Sequence, residues 1–207
     1  MRKLILVKHA SPKVDPNVPP ELWSLSDEGR GRCAALAQAL IPYSPAVIVS
    51  SSEPKAQETA ELIARELGVE TKEGTDLYEH ERTNVPHMPG REFISMMELL
   101  FRRPGELVLG DETADEAADR FEQAVGQVLA AYPDGNVAIV SHGTVIALML
   151  ARQGAGRGFQ IWREMGLPSF AVLEVPGYRL EKLVGRSGRL PISSGCHGSI
   201  ESAAKEC

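Results

Sequence analysis

The chain has 207 residues, of which 43% are hydrophobic and 24% charged, and a formal net charge of −6. That length and balance fit one globular domain, or one domain carrying an insertion, with a core large enough to need no staples. An acidic total with scattered lysines and arginines excludes the basic stripe of a nucleic-acid binder but leaves room for a small anionic ligand held by local positive charge.

The opening run Leu4 to Val7 is apolar, short, and followed by Lys8-His9. It is too short for a signal-peptide core or a membrane span and reads as a strand, so no membrane partner is expected. Residues 10–25 contain Pro12, Pro16, Pro19 and Pro20, which rule out regular structure. Ser26 then caps a helix with Asp27 and Glu28 in its first turn, where the dipole favours negative charge. Ala46 to Val49 is a second buried strand, closed by Ser50-Ser51-Ser52. Ala56, Ala60, Ile63 and Leu67 recur at helical spacing, with Gly68 as the stop.

Residues 74–90 read as loop, and a helix follows from about Arg91 to Arg102, stopped by Pro104. Phe93, Met96, Met97 and Phe101 on that helix line either the core or, with Trp23, an apolar wall of a pocket. Thr113 and Glu116 form a capping box. Behind it Ala114, Ala118, Phe121, Val125, Val128 and Tyr132 hold one helical stripe. Pro133-Asp134-Gly135 is a turn, Val137 to Val140 a strand, and Ser141-His142-Gly143 leads into a helix through Ile146 and Leu150. Phe170–Val175 and Tyr178–Val184 form a hairpin around Pro176-Gly177. From Gly185 to Cys207 the composition turns rich in Gly and Ser, a tail expected to be mobile or to pack outside the core. The alternation predicts an α/β layered fold, with one domain over 1–184 that carries a helical insertion at about 78–131.

Two strands share one design, a buried run whose end delivers a histidine: Lys8-His9 and Ser141-His142-Gly143. A third strand ends in the serine cluster, with Lys55 on the helix that follows. Ligands of open α/β sheets gather at the carboxyl ends of strands. The helix opened by Gly143 and Thr144 offers free amides to an anion. Two imidazoles, two lysines and these amides predict an oxyanion pocket, most simply for phosphate. The three cysteines, Cys33, Cys196 and Cys207, show no redox or metal spacing and fit a reducing, cytoplasmic setting. The five histidines show no metal-ligand spacing, so neither metal nor other cofactor is expected.

From Leu4 to Val184 the chain resembles the histidine phosphatase (phosphoglycerate-mutase-like) superfamily. The resemblance rests on Lys8-His9-Ala10 in place of Arg-His-Gly, on Leu25-Ser26-Asp27-Glu28-Gly29, and on Ser50 to Ala60 in place of Ser-Ser-Pro-x-x-Arg-Ala-x-Gln-Thr-Ala. Leu77-Tyr78-Glu79 and Ser141-His142-Gly143 complete it. It implies a three-layer α/β/α sandwich with a mostly parallel central sheet, and a phosphatase acting on a small phosphomonoester or a phosphoprotein. A mutase, or a phosphate-binding module of little turnover, is the alternative. The resemblance makes His9 the nucleophile and Glu79 the general acid/base, with Lys8, Lys55 and His142 around the phosphoryl oxygens. Both of the family's clamp arginines stand here as lysine, which lacks the planar fork. Arg82, Arg91 or Arg102 could supply a replacement guanidinium. Glu58 stands where the family has glutamine.

Overall fold

The computed structural model describes residues 1–85 and 88–185. The tail expected from Gly185 onward therefore lies, apart from Gly185 itself, outside the described residues. Six strands form one sheet in the order β3-β2-β4-β1-β5-β6. They are β1 (Arg2–Lys8), β2 (Pro45–Ser50), β3 (Glu70–Glu73), β4 (Asn136–Ser141), β5 (Ser169–Val175) and β6 (Leu180–Val184). β1 pairs parallel with β4, as β2 does with both β4 and β3, whereas β5 runs antiparallel to β1 and to β6.

Six helices cover the two faces: α1 (Asp27–Leu40), α2 (Pro54–Leu67), α3 (Gly90–Arg102), α4 (Ala114–Ala131), α5 (Gly143–Arg152) and α6 (Gly158–Glu164). Successive strand side chains point to opposite faces, so β1 feeds both cores. Ile5 and Val7 join Leu36, Leu40, Ala60 and Ile63 of α1 and α2, while Leu4 and Leu6 join Met97, Phe121, Val125 and Ile146 on the other side. Both β1 neighbours are sheet strands, and Leu4 to Val7 are fully buried, as a central strand of a covered sheet must be. The mostly parallel α/β/α sandwich expected from the sequence is the fold observed.

The caps follow the local chemistry. The Ser26 hydroxyl accepts the Gly29 N–H at 3.0 Å, and the Thr113–Glu116 capping box is closed from both ends. Gly68 ends α2 in the left-handed region, at φ 67°.

Four elements were not foreseen in reading along the chain. Two are single 3₁₀ turns, Pro20–Leu22 and Ile41–Tyr43; the first lies in the 10–25 stretch read as irregular, where a proline at the start of a short turn fits because its missing N–H is not needed there. β3 is an edge strand, Glu-Thr-Lys-Glu, with no buried residue, so it carries neither alternation nor an apolar run. α6 is only seven residues long and buries only Ile161. Within the 91–102 helix the two readings divide by residue. Met97 is buried in the core, Met96 and Phe101 pack against it, and Phe93 both touches that core and lines a cavity.

Candidate active site

Sheet register brings the two histidines together. Lys8 lies opposite Ser141 in the β1–β4 ladder, and the next residue continues the pairing, with the His9 N–H donating to the Ser141 carbonyl at 3.0 Å. His9 and His142 therefore leave adjacent parallel strands at the same level, their ring centroids 5.1 Å apart. β2 does the same on the other flank of β4: the Ser51 N–H donates to the Val140 carbonyl at 2.9 Å. Three strand ends converge, a meeting that the residues alone leave open and that the family resemblance implies.

The His9 Nδ1 lies 2.7 Å from the Ala10 carbonyl oxygen. A carbonyl only accepts, so Nδ1 carries the hydrogen and Nε2 carries the lone pair. Burial first, then the fields of His142 and Lys55, hold the ring well below its ordinary pKa, and it is neutral. Thr59 accepts the Ala10 N–H at 3.0 Å and donates to the Lys55 carbonyl at 2.7 Å, which ties the strand end that carries His9 to α2.

His142 is fully buried. Its Nε2 lies 2.9 Å from the Ser51 hydroxyl and 3.1 Å from Glu53 Oε1, while Nδ1 has no partner among the described residues. Burial lowers its pKa to about 3, against an opposing pull from Glu79 and with help from Lys55, Arg82 and Arg120.

The lysines stand differently from the expected open clamp. Lys55 is buried, in an ion pair with Glu53, and its ammonium donates to the Pro20 carbonyl at 2.7 Å. Lys8 runs over Gly143 toward the Met165 carbonyl, with Nζ to O at 3.5 Å. A side chain at Gly143 would meet it, since a Cβ there would lie 3.0 Å from Lys8 Cε. The helix N-terminus at Gly143 and Thr144 holds an anion, but that anion is part of the protein. Glu79 accepts the Thr144 N–H at 3.1 Å and the Val145 N–H at 3.3 Å. Burial pushes the Glu79 carboxyl up, yet Arg82, His142 and the amides of His80 and Thr144 outweigh it and leave it at about 2.

A cavity of about 900 Å³ opens over this floor. His9, Lys55, Glu53, Glu79, Arg82 and His142 line its base. Val14, Val18 and Trp23 of the proline-rich loop form one wall, and Val85, Met88 and Phe93 the other. Of the three arginines named as replacements, Arg82 lines the cavity. Its Nη2 is 3.6 Å from Glu79, and its Cζ lies 5.3 Å from the Phe93 ring centroid. Arg91 and Arg102 are exposed on α3.

The Glu79 loop is held from behind by Arg120 of α4. Its guanidinium donates to the carbonyls of Asp76, Tyr78 and Glu79, pairs with Glu112, and stacks 3.6 Å from the Tyr78 ring centroid. Glu58, which stands where the family has glutamine, accepts the Leu25 N–H and pairs with Arg30. Sequence reasoning missed Glu53, Arg120 and Glu112. Glu53 falls at an unspecified position of the serine-rich motif, and the other two sit on the outer course of a helix and loop. Only the odd cost of burying charge marks them, and sequence does not show burial.

The family profile of the histidine phosphatase superfamily (branch 1) matches residues 15–182. The chain belongs to that superfamily. The uncharacterized phosphatase PhoE of Bacillus subtilis (strain 168) is 28% identical over 132 residues, which make up 64% of this chain and 65% of that relative. The alignment thus spans a little under two thirds of PhoE. Among solved structures, Bacillus stearothermophilus YhfR superposes with a TM-score of 0.71 at 21% identity, covering 93% of this chain and 99% of that one. A mycobacterial glucosyl-3-phosphoglycerate phosphatase in complex with VO3 gives 0.68 at 22% identity, over 87% of this chain and 98% of its own. At these identities the superpositions speak for a shared fold. Among the described residues no helix is long and apolar enough to cross a membrane.

Proposed function

We propose that this superfamily member is a phosphatase that hydrolyses a phosphomonoester through a phosphohistidine on His9. The observation that carries the reading is the fixed tautomer of His9, a neutral imidazole with its lone pair on Nε2, set beside His142 in the floor of a cavity. In the first displacement Nε2 attacks phosphorus and the bond to the leaving oxygen breaks. Glu79, the carboxylate beside that floor and ionised at rest, takes a proton from the monoanionic phosphate ester as it binds, passes it to the leaving oxygen, and takes one back from the attacking water, which it returns to the departing phosphate. Water then displaces the imidazole, the N–P bond breaks, and inorganic phosphate leaves. Lys55, Arg82 and His142 hold the equatorial oxygens while charge shifts across them. Arg82 brings the planar fork that the two lysines lack.

The relatives' names agree with the chemistry: PhoE is called a phosphatase, and a mycobacterial neighbour was solved with VO3. The ligand is a small phosphorylated molecule, and phosphoprotein side chains belong to the same chemical class.

The test pairs turnover of p-nitrophenyl phosphate with calorimetric binding of orthovanadate. Turnover that falls at least a thousandfold in His9→Ala and a hundredfold in His142→Ala supports the proposal, these being about the losses expected for a nucleophile and an oxyanion donor. Vanadate binding without turnover, unchanged in His9→Ala, would replace it with a phosphate-binding module.

A further inference from the structure

The cavity is larger than the group its floor would hold. At about 900 Å³ it stands near the upper end of pockets that take a whole small organic molecule, about 300–1,000 Å³. A phosphate fills only the base, so the rest of the space belongs to the alcohol it is esterified to.

The walls around that space are apolar, and their polar atoms are already engaged. On the proline-rich side stand Val14, Val18 and Trp23. Val14 is 54% exposed, a branched apolar side chain with little protein against it. The Trp23 indole N–H donates to the carbonyls of Asp15 at 3.1 Å and Val18 at 2.8 Å, so the ring presents the cavity with carbon alone. Opposite it Phe93 is held in place by the Trp162 ring, 6.0 Å away between centroids. The two neutral polar residues of these walls are used elsewhere: the Asn17 amide donates to the Asp15 carboxylate at 3.2 Å and the Thr83 hydroxyl to Asp111 at 2.8 Å. A ligand rich in hydroxyls would leave them unpaired against such walls.

Above the floor the charge has one sign. Apart from histidines, the lining cations among the described residues are Lys55 and Arg82, and each turns to a carboxylate of the base, Glu53 and Glu79. The other charged lining residues are Glu21 and Glu81. A second anion on the ligand would meet those two carboxylates and, among the described residues, no cation beyond the base.

We propose that the substrate is the phosphomonoester of an apolar alcohol whose hydrocarbon part packs between Trp23 and Phe93, and that it carries no second negative charge. The inference rests on the phosphatase reading and narrows its substrate class. Trp23 and Phe93 act as specificity residues that touch the leaving alcohol and not the phosphorus.

The test is a series of ethyl, butyl and hexyl phosphates, whose alcohols have nearly equal acidity, so that chain length varies while the chemistry stays constant. In the wild type kcat/KM is expected to rise about fourfold per buried CH₂, with hexyl phosphate exceeding ethyl phosphate by roughly thirtyfold or more. Carboxypentyl phosphate, of the same length but ending in a carboxylate, is expected to be at least about tenfold poorer than the hexyl ester. In Trp23→Ala and in Phe93→Ala the hexyl-to-ethyl ratio falls at least about fivefold. That ratio is read within each protein, so any disturbance of the phosphate floor cancels, and the wild-type series decides whether or not the variants fold. Alkylphosphonates of the same chain lengths, which are not hydrolysed, give the same slope as binding constants by calorimetry. A flat wild-type series, or a carboxylate accepted as well as the hydrocarbon end, overturns the inference, while turnover of these esters then leaves the phosphatase reading standing. A ratio unchanged in both variants overturns the seat between these two rings. Phosphonate affinity that rises with chain length while no ester is hydrolysed supports the apolar seat and sinks the phosphatase reading alone.

Discussion

The Glu79 carboxylate accepts the Thr144 N–H at 3.1 Å, so the loop after β3 caps α5, the helix that begins behind His142. The contact joins the two halves of the site. The N-terminal dipole of α5 favours an anion there, and the same bond holds the Glu79 side chain at the cavity floor. A second bond ties the Ser-His-Gly strand end to the Leu-x-Glu loop: Ser141 donates its hydroxyl to the Leu77 carbonyl at 2.7 Å, two residues before Glu79.

If Glu79 moves the leaving-group proton, Glu79→Gln will depend on the leaving group. Hydrolysis of an alkyl phosphate, whose alkoxide needs that proton, is expected to lose about a hundredfold to a thousandfold in kcat. Hydrolysis of p-nitrophenyl phosphate, with its stable phenolate, is expected to lose less than about tenfold. Steady-state kinetics on the two substrates check this. Equal losses on both would reduce Glu79 to a capping role.

Arg120 does not itself line the cavity, yet it gathers three carbonyls of the Glu79 loop and pairs with the buried Glu112. Arg120→Met leaves Glu112 without its partner in a site where both side chains are largely covered. Breaking one side of such a pair costs about 3–5 kcal/mol when fully buried. A loss of about 2–4 kcal/mol is expected here by denaturant unfolding, with a fall in kcat on alkyl phosphates and little change in KM. Glu112→Gln combined with Arg120→Met should cost less than the two single changes added together.

Much of this site was legible because it is built from strand ends. A short apolar run that stops at a histidine is visible in Leu4 to His9 and in Val137 to His142, and parallel pairing does the rest. Helix stripes such as Ala114 to Val128 were legible for the same reason: periodicity reports a buried face. What the sequence hid was which charges are buried together. Lys55 reads as a free phosphate clamp until the fold places Glu53 against it, two residues earlier on a turn whose direction no pattern encodes. Likewise the Gly143–Thr144 amides read as open until Glu79 arrives from 65 residues away.

The buried histidines fix the acid limb of stability. His142 has a folded pKa of about 3, below its ordinary 6.5, so between these values the unfolded chain binds the extra proton. Stability contributed by the neutral ring is complete above pH 6.5 and is lost as pH falls toward about 3. His9 and His80 are shifted in the same direction, and Glu79 adds its own loss at lower pH, from about 4.5 to about 2. Between pH 5 and 6 only the histidines of this set contribute. His142→Gln is expected to flatten the unfolding free energy there by about 1 kcal/mol per pH unit. Urea titrations at several pH values measure it, and an unchanged slope would mean that His142 is charged in the folded state.

The glycine of Leu25-Ser26-Asp27-Glu28-Gly29 has a steric task that the neighbouring Gly31 lacks. A Cβ at Gly29 would lie 2.2 Å from the Ser11 carbonyl oxygen, whereas nothing lies within 4 Å of one at Gly31. That same Ser11 oxygen accepts both the Ser26 N–H and its hydroxyl, each at 3.0 Å. Gly29→Ala must therefore push the chain at Ser11, two residues from His9, or break the cap of α1. Overpacking of this kind costs about 1–3 kcal/mol, and the displaced strand end should lower kcat as well. Gly31→Ala, on the same helix in open space, should instead stabilise by about 0.5–1 kcal/mol through helix propensity and leave kcat alone. Thermal melts and p-nitrophenyl phosphate turnover of the pair separate the two effects. A Gly29→Ala protein as stable and active as the Gly31→Ala protein would show that α1 and the strand end are not in the close contact described.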